Sequence, residues 1–332
     1  MHTTTQHLVR ILARFARAFA FGFAIALGAT LIANTNAALI RPAHAESKPL
    51  SVVTTTEDLA AIAREVGGDR VRVTSLCKGY QDPHFVDAKP SFMVQLKNAA
   101  LFVEVGRDLE VGWAPGLLNG ARNPRILPGA PGFVDASSQV QVIEVPASVS
   151  RAQGDVHPFG NPHYWLDPDN GLRIAKGIQK KLSALGPGDA AYFAQREEAF
   201  EKRLAEAQKR WDAQMAPYKG TKIVTYHRSW PNFVDRFGLD VIGYVEPRPG
   251  IPPSPSHTID LINDMKAKNV KIIMVEPYFD LKTPNSIARE TGAKVLVMAP
   301  SVGAEKEITD YISLFDYDVK LLAAALKETT GR

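Results

Sequence analysis

The segment AAYFAQREEAFEKRLAEAQKRWDAQM, residues 190–215, decides the fold that the sequence predicts. It contains no glycine or proline, and its large apolar side chains recur at spacings of 7, 4, 7 and 4 residues, which places them on one face of a helix. These side chains belong to Phe193, Phe200, Leu204, Trp211 and Met215. The run Gly186-Pro187-Gly188 ends the preceding helix, and we expect Asp189 to cap the next one. At 1.5 Å per residue this helix is roughly 40 Å long, enough to join two domains stiffly.

Short runs rich in β-branched residues alternate with helical segments on both sides of this helix. The predicted strands span residues 50–54, 71–76 and 101–105 before it, and residues 222–225, 241–245, 271–275 and 294–298 after it. Such alternation is typical of βαβ units with parallel sheets. We therefore expect an α/β protein of two small βα lobes with mainly parallel sheets, joined by one long rigid helix. The N-terminal lobe is predicted over 46–185, the linking helix over 186–218 and the C-terminal lobe over 219–332.

Residues 1–45 have the organisation of a secretory signal peptide. Arginines precede an uncharged apolar run, and Ala43-His44-Ala45 offers the small residues of a cleavage site. A permanent membrane anchor is the alternative, because the uncharged run is long enough to span a bilayer. No cysteine lies near the cleavage site, so we do not expect a lipid anchor. The expected mature protein is exported, and its simplest location is the periplasm.

The composition excludes several functional classes. One cysteine among 332 residues rules out an intramolecular disulfide framework and a cysteine-rich zinc module. The net charge of +4 comes from the four arginines of residues 1–45, beyond which 35 basic and 35 acidic side chains balance. A neutral remainder gives no sign of nucleic-acid binding.

Five histidines follow residue 45, and three of them lie in predicted loops at or near the ends of strands, where α/β proteins often bind ligands. His84 and His227 follow predicted strands, and His163 stands in the loop Asn161-Pro-His-Tyr-Trp-Leu-Asp-Pro168. Ligands of open α/β sheets bind outside the carboxyl ends of the strands, so the three imidazoles can meet in one cleft between the lobes. Three imidazoles and one more donor suit zinc. The short zinc-enzyme motifs, such as H-E-x-x-H, are missing from this sequence.

Several segments, taken in order, resemble the zinc/manganese substrate-binding proteins of ABC importers. These segments are Gln81–Ser91, Leu96–Glu110, Asn161–Pro168, His227 after its strand, Glu276–Phe279 and Ile287–Val295. The resemblance implies two α/β lobes, one long connecting helix and a metal ion held between the lobes. It further implies that His84, His163 and His227 are the metal ligands.

The resemblance also bears on the choice of metal. Manganese-binding relatives often have Glu at the third position and an Asp ligand after the last strand, whereas this chain has His227 and the run Met298-Ala-Pro-Ser-Val302. An extra imidazole and a missing carboxylate favour Zn²⁺, with Mn²⁺ as the alternative. The fourth ligand is left open between Glu276 and water. His157 is a candidate accessory ligand.

The function implied is capture of zinc ions in the periplasm and delivery to an ABC transporter permease at the inner membrane. Such a protein is a monomer with no enzymatic activity. The alternatives are a manganese- or iron-binding protein of the same class, an exported zinc hydrolase with Glu276 as general base, and a storage or chaperone protein without a transporter.

Other residues have structural interpretations. Asp82 is expected to form a turn at Asp-Pro or to orient the His84 ring. Asp167 is expected to cap the following helix. Cys77 is expected to pack in the core, and His257 is expected to lie outside the metal site.

Overall fold

The computed structural model describes residues 48–148 and 157–331, so the predicted signal peptide lies outside the described residues. Before the long helix the elements are β1 (Leu50–Thr54), α1 (Glu57–Gly67), β2 (Val71–Ser75), α2 (Pro90–Lys97), β3 (Leu101–Glu104), α3 (Ala114–Ala121), β4 (Phe133–Asp135) and α4 (Pro168–Leu185). The long helix is α5 (Ala190–Met215). After it come β5 (Lys222–Thr225), α6 (Pro231–Phe237), β6 (Asp240–Tyr244), α7 (Pro255–Ala267), β7 (Ile272–Val275), α8 (Lys282–Thr291), β8 (Lys294–Val297) and α9 (Tyr311–Thr330).

Two four-stranded sheets share the same topology. The strand order is β2-β1-β3-β4 in the first and β6-β5-β7-β8 in the second, and every pairing between these strands is parallel. In each sheet the order reverses beside the central strand, at β1/β3 and at β5/β7. The predicted fold of two parallel α/β lobes with a long helix is therefore confirmed, and both sheets offer a ligand-binding edge at the carboxyl ends of their strands.

The long helix is part of the core rather than an exposed rod. Its five predicted apolar side chains are all buried, and they belong to one hydrophobic cluster with Val52 of β1 and Ile272 of β7. The helix packs against α1, α4 and α9. Because a single buried cluster reaches both sheets through α5, the connection is rigid.

The start of α5 differs from the prediction in one detail. Asp189 occupies the N-cap position, but within the described chain its side chain makes no capping hydrogen bond. Its carboxylate instead pairs with Arg70, with 3.6 Å between Nε and Oδ1. The prediction for Asp167 is confirmed, because its side chain accepts the backbone N–H of Asp169 at the start of α4.

Three short elements escaped the sequence analysis: α3, β4 and α6. The α3 sequence APGLLNGA contains a proline and two glycines, which disfavour a helix in isolation. Its buried leucines, Leu117 and Leu118, contribute to a second cluster that also includes Phe102. Packing against this cluster outweighs the weak helix propensity.

Buried hydrogen bonds connect the segment after β8 to the first half of the chain. The Asp58 carboxylate accepts the Ser301 hydroxyl at 2.5 Å and the Val302 backbone N–H at 3.0 Å. The Trp165 indole N–H donates to the carbonyl of Pro300 at 2.9 Å. Burial raises the pKa of Asp58 to about 7, although the hydrogen bonds that its carboxylate accepts from Ser301 and Val302 lower it. These contacts tie Pro300, Ser301 and Val302 to the first half of the chain.

Within the described part of the chain, no helix combines the length and apolarity that crossing a bilayer requires.

Candidate metal centre

Three histidines from distant parts of the chain converge on one point. His84, His163 and His227 each place a ring nitrogen within 4.8 Å of the others. The ring centroids of His84 and His163 are 5.2 Å apart, and those of His163 and His227 are 5.6 Å apart. The convergence expected from loop positions in the sequence is therefore observed.

His84 is oriented by Asp82, two residues before it. One oxygen of Asp82 accepts the backbone N–H of His84 at 3.0 Å and lies 2.7 Å from its Nδ1. The Asp82 carboxylate therefore both stabilises the turn before His84 and fixes the orientation of the His84 ring. The sequence had left open which of these two roles Asp82 has. Burial raises the pKa of Asp82, but the hydrogen bonds from His84 and the charges of His84 and His227 together outweigh burial, so the net pKa is lowered. With Nδ1 donating to Asp82, the Nε2 atom of His84 carries a lone pair.

His163 is oriented by Asn161 in the same way. The Asn161 side-chain oxygen accepts the His163 backbone N–H at 2.9 Å and lies 3.2 Å from Nδ1. The ring is 1% exposed, and its Nε2 has no hydrogen-bond partner among the described residues. Burial lowers the pKa of His163 well below 6.5, so the ring is neutral at physiological pH. A buried neutral imidazole without a partner is suited to bind a cation.

His227 is oriented by Glu246, which the sequence analysis missed. A Glu246 oxygen lies 2.5 Å from His227 Nδ1, and its other oxygen accepts the backbone N–H of Gly250 at 2.7 Å. Burial lowers the pKa of His227, but the hydrogen bond to Glu246 and the charge of Glu276 raise it above 6.5. Glu246 lies two residues after β6, which pairs with the strand before His227, and this adjacency is the signal that could have identified it.

The three rings therefore share one arrangement. An oxygen acceptor holds each Nδ1, which leaves Nε2 directed away from that acceptor. Zinc-binding histidines characteristically donate their second ring nitrogen to such an outer acceptor, because this fixes the tautomer and the ring orientation.

Glu276 follows β7 and is completely buried. Neither carboxylate oxygen has a hydrogen-bond partner of standard geometry among the described residues, although the side chains of Ser229 and Trp230 lie close enough to lower the pKa of Glu276. Burial is the stronger effect, so the net pKa is raised. Glu276 does not belong to the group of three histidines whose ring nitrogens lie within 4.8 Å of one another. Direct coordination by Glu276 stays a prediction.

The remaining candidates lie in different places. His157 is beside the group, with its Nε2 3.1 Å from Nε2 of His84. His257 is elsewhere, because its Nε2 contacts the Tyr244 carbonyl at 2.9 Å. Cys77 is buried, and its Sγ lies 3.5 Å from the carbonyl of Lys78. Burial raises the pKa of this thiol to about 12, which disfavours the thiolate that zinc would need.

Replacing Glu246 by glutamine tests the outer acceptor of His227. We expect zinc affinity to fall about 10- to 100-fold, because a neutral amide holds the imidazole tautomer less firmly than a carboxylate. Isothermal titration calorimetry measures the change, and exposed Glu307→Gln is the matched control. Equal affinities in the two variants would show that Glu246 does not orient a ligand.

This chain has the features of a two-lobed metal-binding protein. It has two parallel-sheet lobes, a long helix between them in the sequence and three imidazoles that converge. The model of the family described as ZnuA, zinc-uptake complex component A, periplasmic, matches residues 52–325, so the chain belongs to that family.

The relatives include both zinc and manganese proteins. The zinc-binding lipoprotein AdcA of Streptococcus pneumoniae is 24% identical over 85% of this chain, which spans 56% of that relative's length. The manganese ABC transporter substrate-binding lipoprotein PsaA of Streptococcus pneumoniae is 24% identical over 85% of this chain and 90% of its own length. A solved structure of a ZnuA deletion mutant with zinc bound has a TM-score of 0.71 and 25% identity, covering 84% of this chain and 98% of that chain.

Proposed function

We propose that this protein captures zinc ions in the periplasm and delivers them to the permease of an ABC importer at the inner membrane. The observation that carries the proposal is the buried, unpartnered Nε2 of His163 beside the rings of His84 and His227. Desolvating a neutral imidazole without giving it a partner costs free energy, and a bound cation offsets that cost. Membership of the family and its zinc-binding relatives supports the same function.

The proposed ligands are His84, His163 and His227, with Glu276 as the carboxylate predicted from the sequence. Zinc fits this donor set better than manganese does, because imidazole nitrogen suits Zn²⁺ whereas Mn²⁺ favours oxygen. The run Met298–Val302 offers no carboxylate and is anchored by Asp58 and by Asp318, which accepts the Ala299 backbone N–H at 2.9 Å. The manganese relative keeps Mn²⁺ as the alternative cargo.

The remaining parts of the proposal concern organisation and transport. Residues 1–45 act as a cleaved signal peptide, residues 46–185 and 219–332 form the two lobes, and residues 186–218 contain the linking helix. The protein acts as a monomer without enzymatic activity, and its partners are the zinc ion and the permease. Binding by the lone pairs of the imidazoles breaks no covalent bond of the protein other than N–H bonds of rings that must lose a proton first.

Competitive titration tests the choice of cargo. Metal-depleted protein is expected to bind one Zn²⁺ per chain, and a large excess of Mn²⁺ is expected not to displace it. Calorimetry with each metal, followed by elemental analysis of the purified protein, measures both quantities. Binding of Mn²⁺ as tightly as Zn²⁺ would favour the manganese alternative, and no uptake of either metal would refute the proposal.

Delivery is tested by growth of the host. A strain lacking this protein is expected to grow poorly only when zinc is scarce, and the intact gene is expected to restore growth. A gene carrying His163→Ala should not restore it. Normal growth of the deletion strain under zinc starvation would contradict a role in uptake.

A further inference from the structure

His157 lies against the three proposed ligands without being one of them. Its Nε2 is 3.1 Å from Nε2 of His84, and the centroids of the two rings are 5.2 Å apart. The ring of His163 is 6.2 Å away, centroid to centroid. The ring of His157 therefore lies beside the three proposed ligands, although the group of nitrogen atoms within 4.8 Å of one another contains only His84, His163 and His227.

The hydrogen bonds of the two facing rings leave both Nε2 atoms with lone pairs. His84 donates its Nδ1 proton to Asp82. The backbone of Arg107 accepts a hydrogen bond from the His157 ring, which fits Nδ1 because Nε2 faces His84. Two lone pairs 3.1 Å apart repel unless a positive charge lies between them. A metal ion bound between the two nitrogen atoms supplies that positive charge.

The spacing of the rings fits a tetrahedral zinc ion. Two nitrogens bound to zinc at about 2.05 Å and at the tetrahedral angle are about 3.3 Å apart, and the centroids of their rings are about 5.2 Å apart. The His84–His157 and His84–His163 centroid distances are both 5.2 Å, and the His84–His227 distance is 5.4 Å. The ring of His157 is thus as far from His84 as a fellow ligand would be, whereas its 6.2 Å distance from His163 must shorten by about 1 Å for both rings to bind one tetrahedral zinc ion.

We propose that His157 is the fourth ligand of the captured zinc ion and completes a site of four imidazoles. This inference rests on the proposed function and assigns the position that the sequence left open between Glu276 and water. In this arrangement His157 replaces Glu276 as the fourth ligand of the proposed function, and Glu276 lies outside the coordination shell. Its carboxylate joins those of Asp82 and Glu246 in balancing the charge that four neutral ligands leave on Zn²⁺.

A site with nitrogen donors alone has a consequence for selectivity. Mn²⁺ favours carboxylate and water oxygen, so a fourth imidazole in place of a carboxylate disfavours Mn²⁺. His157 is therefore a specificity-determining residue as well as a ligand.

Zinc-edge X-ray absorption of the full chain tests this assignment by counting imidazoles. The wild-type protein loaded with one Zn²⁺ is expected to show four imidazole nitrogens. His157→Gln is expected to show three imidazoles and one oxygen, and its zinc affinity should be weaker by at least the 10- to 100-fold typical of losing an outer-shell partner. His257→Gln, at a histidine that contacts the Tyr244 carbonyl outside the site, is the matched control and should equal wild type.

The outcomes separate this inference from the proposed function. Three imidazoles with an oxygen in the wild-type spectrum, or an unchanged spectrum in His157→Gln, would overturn the role of His157 while zinc capture stands. A wild-type protein that takes up no zinc would overturn both. Thermal unfolding of metal-free His157→Gln confirms that the variant is folded before its spectrum is compared.

Discussion

His163→Ala is expected to abolish high-affinity zinc binding. Structural zinc sites bind with about 10–16 kcal/mol, so one of four ligands contributes about 2.5–4 kcal/mol, which is roughly a 60- to 700-fold change in affinity. The loss of affinity in His163→Ala should lie at the upper end of this range, because His163 Nε2 is buried and has no hydrogen-bond partner among the described residues. Calorimetric titration of the metal-depleted variant against wild type measures the loss.

The control for this variant is His257→Ala, which removes an imidazole outside the cleft. A second readout is thermal stability, since zinc at about a thousand times its dissociation constant stabilises the wild type by about 4 kcal/mol and should leave His163→Ala almost unaffected. Wild-type zinc affinity in the variant, with the metal-free protein folded, would exclude His163 as a ligand.

Trp211→Ala is expected to cause the largest loss of stability among substitutions in the long helix. Trp211 is 1% exposed, and its ring centroid lies 5.1 Å from that of Phe315 in α9. Its indole N–H also donates to Asp316 at 2.7 Å. Emptying this volume should lower the free energy of unfolding by about 3–5 kcal/mol. The urea midpoint, with an unchanged denaturant slope, measures the loss.

Trp211→Phe separates packing from the hydrogen bond. Phenylalanine keeps most of the apolar contact and loses the donor, so we expect a cost of about 1 kcal/mol from the missing hydrogen bond, plus a smaller packing loss than in Trp211→Ala. A loss below about 1 kcal/mol in Trp211→Ala would contradict the assignment of α5 to a core shared by both sheets. Neither substitution touches the histidines, so one zinc per chain should still bind.

Sequence patterns predicted the fold well because most elements are long enough to show their periodicity. The strands β1 and β5 have the predicted bounds, and α5 covers the segment 190–215 inside the linking region predicted over 186–218. The three-residue strand β4 and the seven-residue helix α6 show no hydrophobic periodicity, because each is too short to complete enough repeats of its pattern. Their formation depends on neighbours distant in the chain.

The residues of the candidate metal centre could be predicted from the sequence in part. Loop positions near strand ends singled out His84, His163 and His227, and the resemblance to known importers implied that these three are the ligands. Glu276 was a candidate fourth ligand at the end of its predicted strand. The acceptors Asn161 and Glu246 were missed, because their roles depend on loop conformation and on the pairing of β5 with β6. His157 was recognised only as an accessory residue, since six residues of intervening loop do not fix the distance between two rings.

The sequence by itself determined the two parallel lobes, the long helix and the histidines available to a metal, because periodicity and strand-end position are local properties. Only the tertiary structure decided which nitrogen of each ring faces the cleft, and that His84 and His157 lie 3.1 Å apart. It also brought Val302 within hydrogen-bonding distance of the Asp58 carboxylate, which is far from it in the chain. The physical reason is that coordination depends on distances of a few ångströms between atoms far apart in the chain, and only the packing of the lobes around α5 fixes those distances.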